Sequence, residues 1–262
     1  ACSSYDSFMG CTGGMRAIEN AYNSLFTKHL KKGIEDPKAL VIAGDTLSSV
    51  LDFKDRGTCI LLGDGAGALV LGLQNEEGIQ QVDTFSRGSP EIFYRSCLRT
   101  GAGLEFVFGK ENPNKSDTPF FRQNGKEVFK FAPRVIEDLI RKYISSPERF
   151  YHIMHQANLR IIDNIIERLK LPRDKVYTSG IVNEGNTSGA SYIIGLDRAV
   201  RSGKIKYGDL VALTAMGAGL SWGVCSLRWT KQTHPSEFEP SLDGLYKKYL
   251  EFVRGTQDIE MK

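Results

Sequence analysis

The chain has no apolar stretch approaching the ~20 residues that cross a bilayer, and no charged start followed by an apolar run of secretory type. A cytoplasmic protein without a membrane span is expected. An excess of one charge is also lacking: 34 Lys and Arg face 31 Asp and Glu, a net charge of +3. That balance is too even to make nucleic acid the default partner, although a local basic patch facing an acidic ligand remains open. Cysteine is sparse. Cys2, Cys11, Cys59, Cys97 and Cys225 show no paired spacing, and their odd number argues against a complete disulfide framework. Free thiols are expected, one or two of them at most carrying chemistry. There are only four histidines. His29 lies late in a helical pattern and His234 in a polar tail, where solvated roles are expected. His152 and His155 flank a strand end, but a strand would turn them to opposite faces and no third ligand cluster accompanies them, so no metal site is expected.

Apolar residues are patterned along the rest. Met15, Ile18, Tyr22, Leu25 and Phe26 recur at the spacing of one helical face, and Gly33 closes that run. "KALVIAGD" reads as a short buried strand and "CILLGDGAGALVLG" as two strands about a glycine turn. Residues from about 75 to 124 have weak periodicity and are expected to form a loop or lid. Beyond them follow a helix over "GKEVFKFAPRVIEDLIRKYI", a strand "FYHIM", a helix "LRIIDNIIERLKL", a strand "KVYTSGIV", a turn "EGNTSGAS", a helix "YIIGLDRAVRSG" and a hairpin "DLVALTAM–LSWGVCSLRW". Strand and helix alternate, so the fold class is α/β. The order of Gly-rich turn, helix, strand and hairpin edge over Gly10–Gly72 recurs over Gly185–Trp229. The second copy is preceded by a strand-helix-strand unit of which the first retains only "ACSSYD". After Trp229 a polar segment leads to a tail helix bearing Leu242, Leu245, Tyr249 and Phe252 on one face.

Cys11 stands among glycines one turn ahead of a helix. Unpaired N–H groups and the helix dipole there stabilise a thiolate and lower the thiol pKa below its reference of ~8.5, although a free cysteine also serves as a small buried apolar residue. His155 sits where a strand hands over to a helix, at the sheet edge where α/β proteins bind ligands. Asn186 precedes Thr187 and Ser188, which are good helix N-caps. The stretches "GDGAG" and "MGAGL" are followed by strand-like runs and fail the context test for a dinucleotide fingerprint.

"YDSFMGCTGG", "DRGTCILLGDGAGALVLG", "NGKEVFKFA", "HQANLRIID" and "GNTSGASYIIGLDRAVRSGKIKYGDLVALTAMGAGLSWG" occur in the order found in β-ketoacyl-acyl carrier protein synthase III, and Tyr5 to Trp229 closely resemble that family. The resemblance implies a thiolase-like fold of α-β-α-β-α layers in two pseudo-duplicated halves. On that frame residues 1–75 are the remainder of an N-terminal half with the nucleophile, 76–125 a lid, 126–229 the C-terminal half and 230–262 an extra tail. It implies Cys11 as the acyl-accepting nucleophile, with His155 and Asn186 as its catalytic partners, and an oxyanion hole from the N–H groups of Cys11 and Ala218. Arg56, Phe129, Lys130, Asn158 and Arg160 match positions that bind coenzyme A or the carrier protein. The implied substrates are acyl-coenzyme A and a malonyl thioester, with no permanently bound cofactor, and the implied partners are acyl carrier protein and a second copy of the chain. The implied reaction is acyl transfer to Cys11 followed by decarboxylative condensation. Alternatives are acyl transfer to an amine or alcohol without decarboxylation, and a non-catalytic subunit. Met9, Gly14 and Met216 depart from the family's usual residues and are expected to reshape the acyl pocket. The first part of the N-terminal half is absent, and a further chain is expected to supply its strands.

Overall fold

In the computed structural model, which describes residues 3–73, 78–87, 121 and 125–231, the helical spacing after Cys11 becomes α1 (Gly13–Lys32). Met15, Ile18 and Leu25 form its buried face. Gly33 ends it in the left-handed conformation at φ 64, its N–H donating to the His29 carbonyl. β1 (Lys38–Asp45) then pairs antiparallel with β2 (Gly65–Gly72), Lys38 opposite Gly72 and Asp45 opposite Gly65.

The second sheet has the order β3-β6-β5-β4, from β3 (Ile79–Ser86), β4 (Tyr151–Met154), β5 (Leu210–Gly217) and β6 (Ser221–Arg228). β4 runs parallel to β5, whereas β5–β6 and β6–β3 are antiparallel. Side chains on β5 alternate between two cores, as a strand buried on both faces requires. Ala212 and Met216 face Ile136, Ile140, Ile162 and Ile165 of α2 (Gly125–Tyr143) and α3 (Leu159–Leu169). Val211, Leu213 and Ala215 face the opposite core, with Met15 and Ile18 of α1 and Ile193 and Leu196 of α5 (Ser191–Arg201). A short helix, α4 (Gly180–Asn183), precedes α5. The inner residues Val41, Leu69 and Leu71 of the β1–β2 ribbon pack on that same second core. Helices α1 and α5 therefore lie between the two sheets, and the described residues stack as helix, sheet, helix, sheet. The outward face of β1–β2 carries Leu40, Ile42 and Val70, which are 63%, 65% and 71% exposed. The corresponding hairpin β5–β6 has its outer side covered by α2 and α3.

Three expectations need correction. Cys59–Leu62 forms turns and a single bridge from Leu62 to Asn186, with no first strand of a pair. Residues 79–86, expected in the lid, form the edge strand β3; their alternation is masked in sequence by Gln81, Asp83 and Thr84. The strand expected at "KVYTSGIV" shrinks to a bridge between Val176 and His152, after which the chain turns into α4. Cys2, Cys97, His234, the tail helix and most of the lid lie outside the described residues.

The departure at Gly14 has a packing cause. A Cβ there would lie 2.5 Å from the Gly189 carbonyl oxygen and 2.8 Å from the Tyr192 hydroxyl. Tyr192 is fully buried, and its hydroxyl accepts the Met15 N–H at 2.6 Å, satisfying an N–H in the first turn of α1 that no side-chain cap at Thr12 supplies. Gly14 thus makes room for a helix cap contributed by the other half. Tyr192→Phe is expected to lower stability by about 1–3 kcal/mol, read by urea denaturation, because it strands that N–H. Gly14→Ala, which forces backbone apart, should cost at least as much.

Candidate active site

Cys11 occupies a short 3-10 turn, Gly10–Thr12, that runs directly into α1. Gly10 holds φ at 51, where glycine is favoured. The end of β5 presses on this turn: a Cβ on Gly217 would sit 2.9 Å from both the N and the Cβ of Cys11. The β5–β6 connection is tied to the same turn by hydroxyls. Thr12 Oγ1 donates to the Met9 carbonyl at 2.8 Å and lies 2.6 Å from Ser221 Oγ, which reaches the Ala218 carbonyl at 2.9 Å. The backbones of Cys11 and Ala218 are therefore held as neighbours.

His155 is buried and follows β4 directly, its backbone N–H donating to the Thr214 carbonyl at 2.7 Å. Its Nδ1 lies 2.7 Å from Ser191 Oγ. Burial pushes the imidazole pKa down to about 4, so the ring is neutral near pH 7. Gln156 anchors the strand exit, its side-chain amide donating to the Met154 carbonyl at 2.8 Å. Asn186 is buried in the loop before α5, its backbone paired with the Leu61–Gly63 segment. Its Oδ1 accepts the Ser188 N–H at 2.9 Å, which fixes the carboxamide so that its NH2 is the end with donors to offer.

One turn links all three groups. Ser188 adopts φ 52, a rare conformation for a residue with a side chain, and directs its hydroxyl to Cys11 Sγ at 3.7 Å. Its N–H holds Asn186, and Ser191, three residues on, holds His155. Thr187 makes no side-chain cap bond, contrary to expectation, and the Ser188 hydroxyl serves the cysteine and not the helix. Neither Ser188 nor Ser191 is distinguished by the sequence pattern as a partner of these groups. The available signal is two hydroxyls at helical spacing directly after a buried Asn. Beside His155 lies a small apolar cavity lined by Met154, Ala157, Ile161, Ile165 and Met216, so the departure at Met216 borders a cavity.

The remaining positions are peripheral. Arg56 is exposed in the turns after β1, Phe129 is 41% exposed on α2 beside Lys130, and Arg160 is exposed in the first turn of α3. Asn158 caps α3, its Oδ1 accepting the Arg160 N–H at 2.9 Å. His152 Nε2 meets the Pro147 carbonyl at 2.8 Å, a structural contact. No group of three or more His, Cys, Asp or Glu side chains able to hold a metal exists among the described residues. None of the described helices is long and apolar enough to cross a membrane.

Residues 5–88 match the family 3-Oxoacyl-[acyl-carrier-protein (ACP)] synthase III, and residues 144–229 match its C-terminal part. The chain is 37% identical over 238 residues to the chloroplastic β-ketoacyl-[acyl-carrier-protein] synthase III B of Cuphea wrightii, covering 86% of this chain and 57% of the relative. It is 37% identical over 235 residues to β-ketoacyl-[acyl-carrier-protein] synthase III of Synechococcus sp. WH7803, covering 87% and 67%. The crystal structure of β-ketoacyl-[acyl-carrier-protein] synthase III from Thermus thermophilus superposes with a TM-score of 0.70 at 34% identity, covering 86% of this chain and 67% of that one. The chain thus spans 57% to 67% of the length of these relatives. Two family matches, one on each half, and a common arrangement of helices and sheets identify a thiolase fold, and the chain belongs to the 3-oxoacyl-[acyl-carrier-protein] synthase III family.

Proposed function

We propose that the chain carries the active site of a condensing acyltransferase that joins an acyl group to a malonyl thioester with loss of carbon dioxide. The observation that carries this reading is the convergence on one turn, Asn186 to Ser191, of a thiol, a neutral imidazole and a carboxamide whose oxygen is already engaged. In the first step the Cys11 sulfur attacks the thioester carbonyl of acyl-coenzyme A. The tetrahedral oxyanion is held by the N–H groups of Cys11 and Ala218, and collapse expels the coenzyme A thiolate. In the second, a malonyl thioester places its carbonyl oxygen against the His155 Nε2 and the Asn186 Nδ2 donors. Cleavage of the bond to the carboxylate releases carbon dioxide and moves an electron pair towards that oxygen, where two preorganised donors stabilise the enolate. The enolate carbon attacks the acyl group on Cys11, giving a 3-ketoacyl thioester and returning the thiolate.

A neutral ring suits this role better than a cation, because it gives a hydrogen bond without giving up a proton to the enolate. Burial supplies that neutrality. Arg56, Arg160, Phe129 and Lys130 are read as contacts of coenzyme A and of an acidic acyl carrier protein, and their exposure supports this. Asn158 orients the start of the helix that presents Arg160. Met216 is read as limiting the space beside the reacting carbon. The assembly is read as a homodimer whose exposed ribbon face at Leu40, Ile42 and Val70 is covered by a further strand-and-helix layer, as α2 and α3 cover the other half. The compartment is one that supplies acyl carrier protein, the cytoplasm or, by analogy with the chloroplastic Cuphea relative, a plastid.

The test is a two-stage incubation of the protein. Acyl-coenzyme A should add one acyl mass to the intact protein, mapped to the peptide bearing Cys11, and a malonyl thioester should then discharge it with release of carbon dioxide. Labelling at Cys59 or Cys225, or discharge to an added amine without carbon dioxide, would sink the assignment.

A further inference from the structure

We propose that Ser191 is a positioning residue that fixes the tautomer of His155, placing its single ring proton on Nε2, the nitrogen that faces the substrate. The inference deepens the condensing reading and rests on it for the catalytic consequence; the tautomer itself rests on geometry alone. A neutral imidazole has one N–H and one bare nitrogen, and which is which follows from the hydrogen bond made by the nitrogen turned away from the site. Here that nitrogen is Nδ1, 2.7 Å from Ser191 Oγ, with both residues buried.

Ser191 Oγ has a second neighbour that fixes its own direction. The Gln156 N–H points at it from 3.2 Å, and a backbone N–H only donates. One oxygen lone pair is thereby used, and the hydroxyl's single proton is free to turn to Nδ1. The opposite arrangement, with the proton on Nδ1, would aim two N–H donors at one oxygen and leave the serine O–H buried without an acceptor among the described residues. Buried donors are nearly always paired, so this arrangement is disfavoured. The surroundings of the ring are held in place. Its backbone is pinned to Thr214 on β5, and the side chain of Gln156 is tied to the Met154 and Tyr177 carbonyls.

The position of Ser191 makes the contact stiff. It is the first residue of α5, whose buried face is locked into the central core by Tyr192, Ile193 and Leu196. The same short turn carries Ser188, which holds Asn186 and reaches Cys11. One rigid segment thus sets the donors on both His155 and Asn186, so that both can present N–H to the same oxygen.

The experiment is imidazole-15N NMR of the full chain near pH 7, with His155 assigned by loss of its signals in His155→Asn. The expected spectrum shows a protonated Nε2 and a bare, hydrogen-bonded Nδ1. In Ser191→Ala the two nitrogens should move towards averaged shifts. Malonyl decarboxylation should then fall by about ten- to a hundredfold while acyl transfer to Cys11 stays within about twofold, the range typical when a partner that orients a histidine is lost. Ser191→Thr, which keeps a hydroxyl, should recover both the spectrum and the rate. A proton on Nδ1 in the parent protein overturns the proposal, as does an alanine variant that keeps both tautomer and decarboxylation. Should Ser191→Ala not fold, the parent spectrum and the threonine variant decide the matter. An Nε2 proton in a parent protein that releases no carbon dioxide overturns the condensing reading and leaves the tautomer assignment standing.

Discussion

His155→Ala is expected to slow malonyl decarboxylation by about 10²–10³-fold, the loss usual for one preorganised donor to a developing oxyanion, or about 2.7–4 kcal/mol. Acyl transfer from acyl-coenzyme A to Cys11 should continue within a few-fold of its original rate. The division follows from the geometry. The Ser188 hydroxyl reaches the Cys11 sulfur at 3.7 Å, and the imidazole is anchored through Nδ1, which leaves Nε2 as the nitrogen read as serving the enolate. Asn186→Asp should resemble His155→Ala and be worse at neutral pH, because the Ser188 N–H would still hold one oxygen and turn the other, charged, against the enolate. Carbon dioxide release and intact-protein mass measure the two half-reactions separately. Equal loss in both would show that the histidine serves the thiol, and the assignment of roles would fail.

The depressed pKa of His155 has two further consequences with definite signs. With a value of about 4, the ring is neutral across the range where the enzyme would work, so decarboxylation should show no inflection from His155 between about pH 6 and 8. Stability should behave differently. A histidine whose folded pKa lies below its unfolded value binds its proton more readily when unfolded. The stability it contributes is therefore present above about pH 6.5 and is lost as pH falls towards about 4. His152, also lowered by burial, acts in the same direction. His155→Ala should flatten part of the acid limb of a stability-versus-pH curve. An unchanged limb would mean that the ring is solvated in the folded protein.

The sequence was most legible where one side chain pattern mapped to one local structure. Met15, Ile18 and Leu25 announced α1, and the two apolar runs of β5 and β6 about a glycine turn announced the hairpin. β3 stayed hidden because an edge strand with Gln81, Asp83 and Thr84 has little to distinguish it from a polar loop until its partner β6 is in place. The first strand expected at Cys59–Leu62 failed for the reverse reason: an apolar run was folded into turns by contact with the Asn186 loop more than a hundred residues away. Within the site, the cysteine, histidine and asparagine stood out by residue type and motif. Ser188, Ser191 and the Thr12–Ser221 contact did not, because a hydroxyl is informative only once its partner is known, and these partners lie 177, 36 and 209 positions away. Gly14 shows the same limit: its small size answers a tyrosine in the other half.

Gly217→Ala should reduce acyl transfer to Cys11 by about 10²-fold without touching any group that takes part in the chemistry, since displacement of a reacting atom by even 1 Å has effects of that size. The added methyl would meet Cys11 N and Cβ at 2.9 Å and Cα at 3.2 Å, which are backbone and near-backbone atoms that cannot swing aside. Relief through the strand is blocked, because Gly217 is buried at the end of β5 and paired with Ser221 of β6. Relief through the turn is opposed by the hydroxyl bridge from Thr12 to Ser221 and by the approach of Gly10 to Ala218. The displacement therefore falls on Cys11, whose N–H is assigned to the oxyanion hole and whose sulfur must meet the acyl carbon. Gly33→Ala is the control: its Cβ meets nothing within 4 Å, its strain at φ 64 costs about 1 kcal/mol of stability, and acylation should be unchanged. Rates of acyl-enzyme formation by mass spectrometry, compared at matched thermal stability, separate a displaced nucleophile from a loosened fold. A Gly217→Ala protein that acylates at the parent rate would show that β5 does not set the position of the thiol.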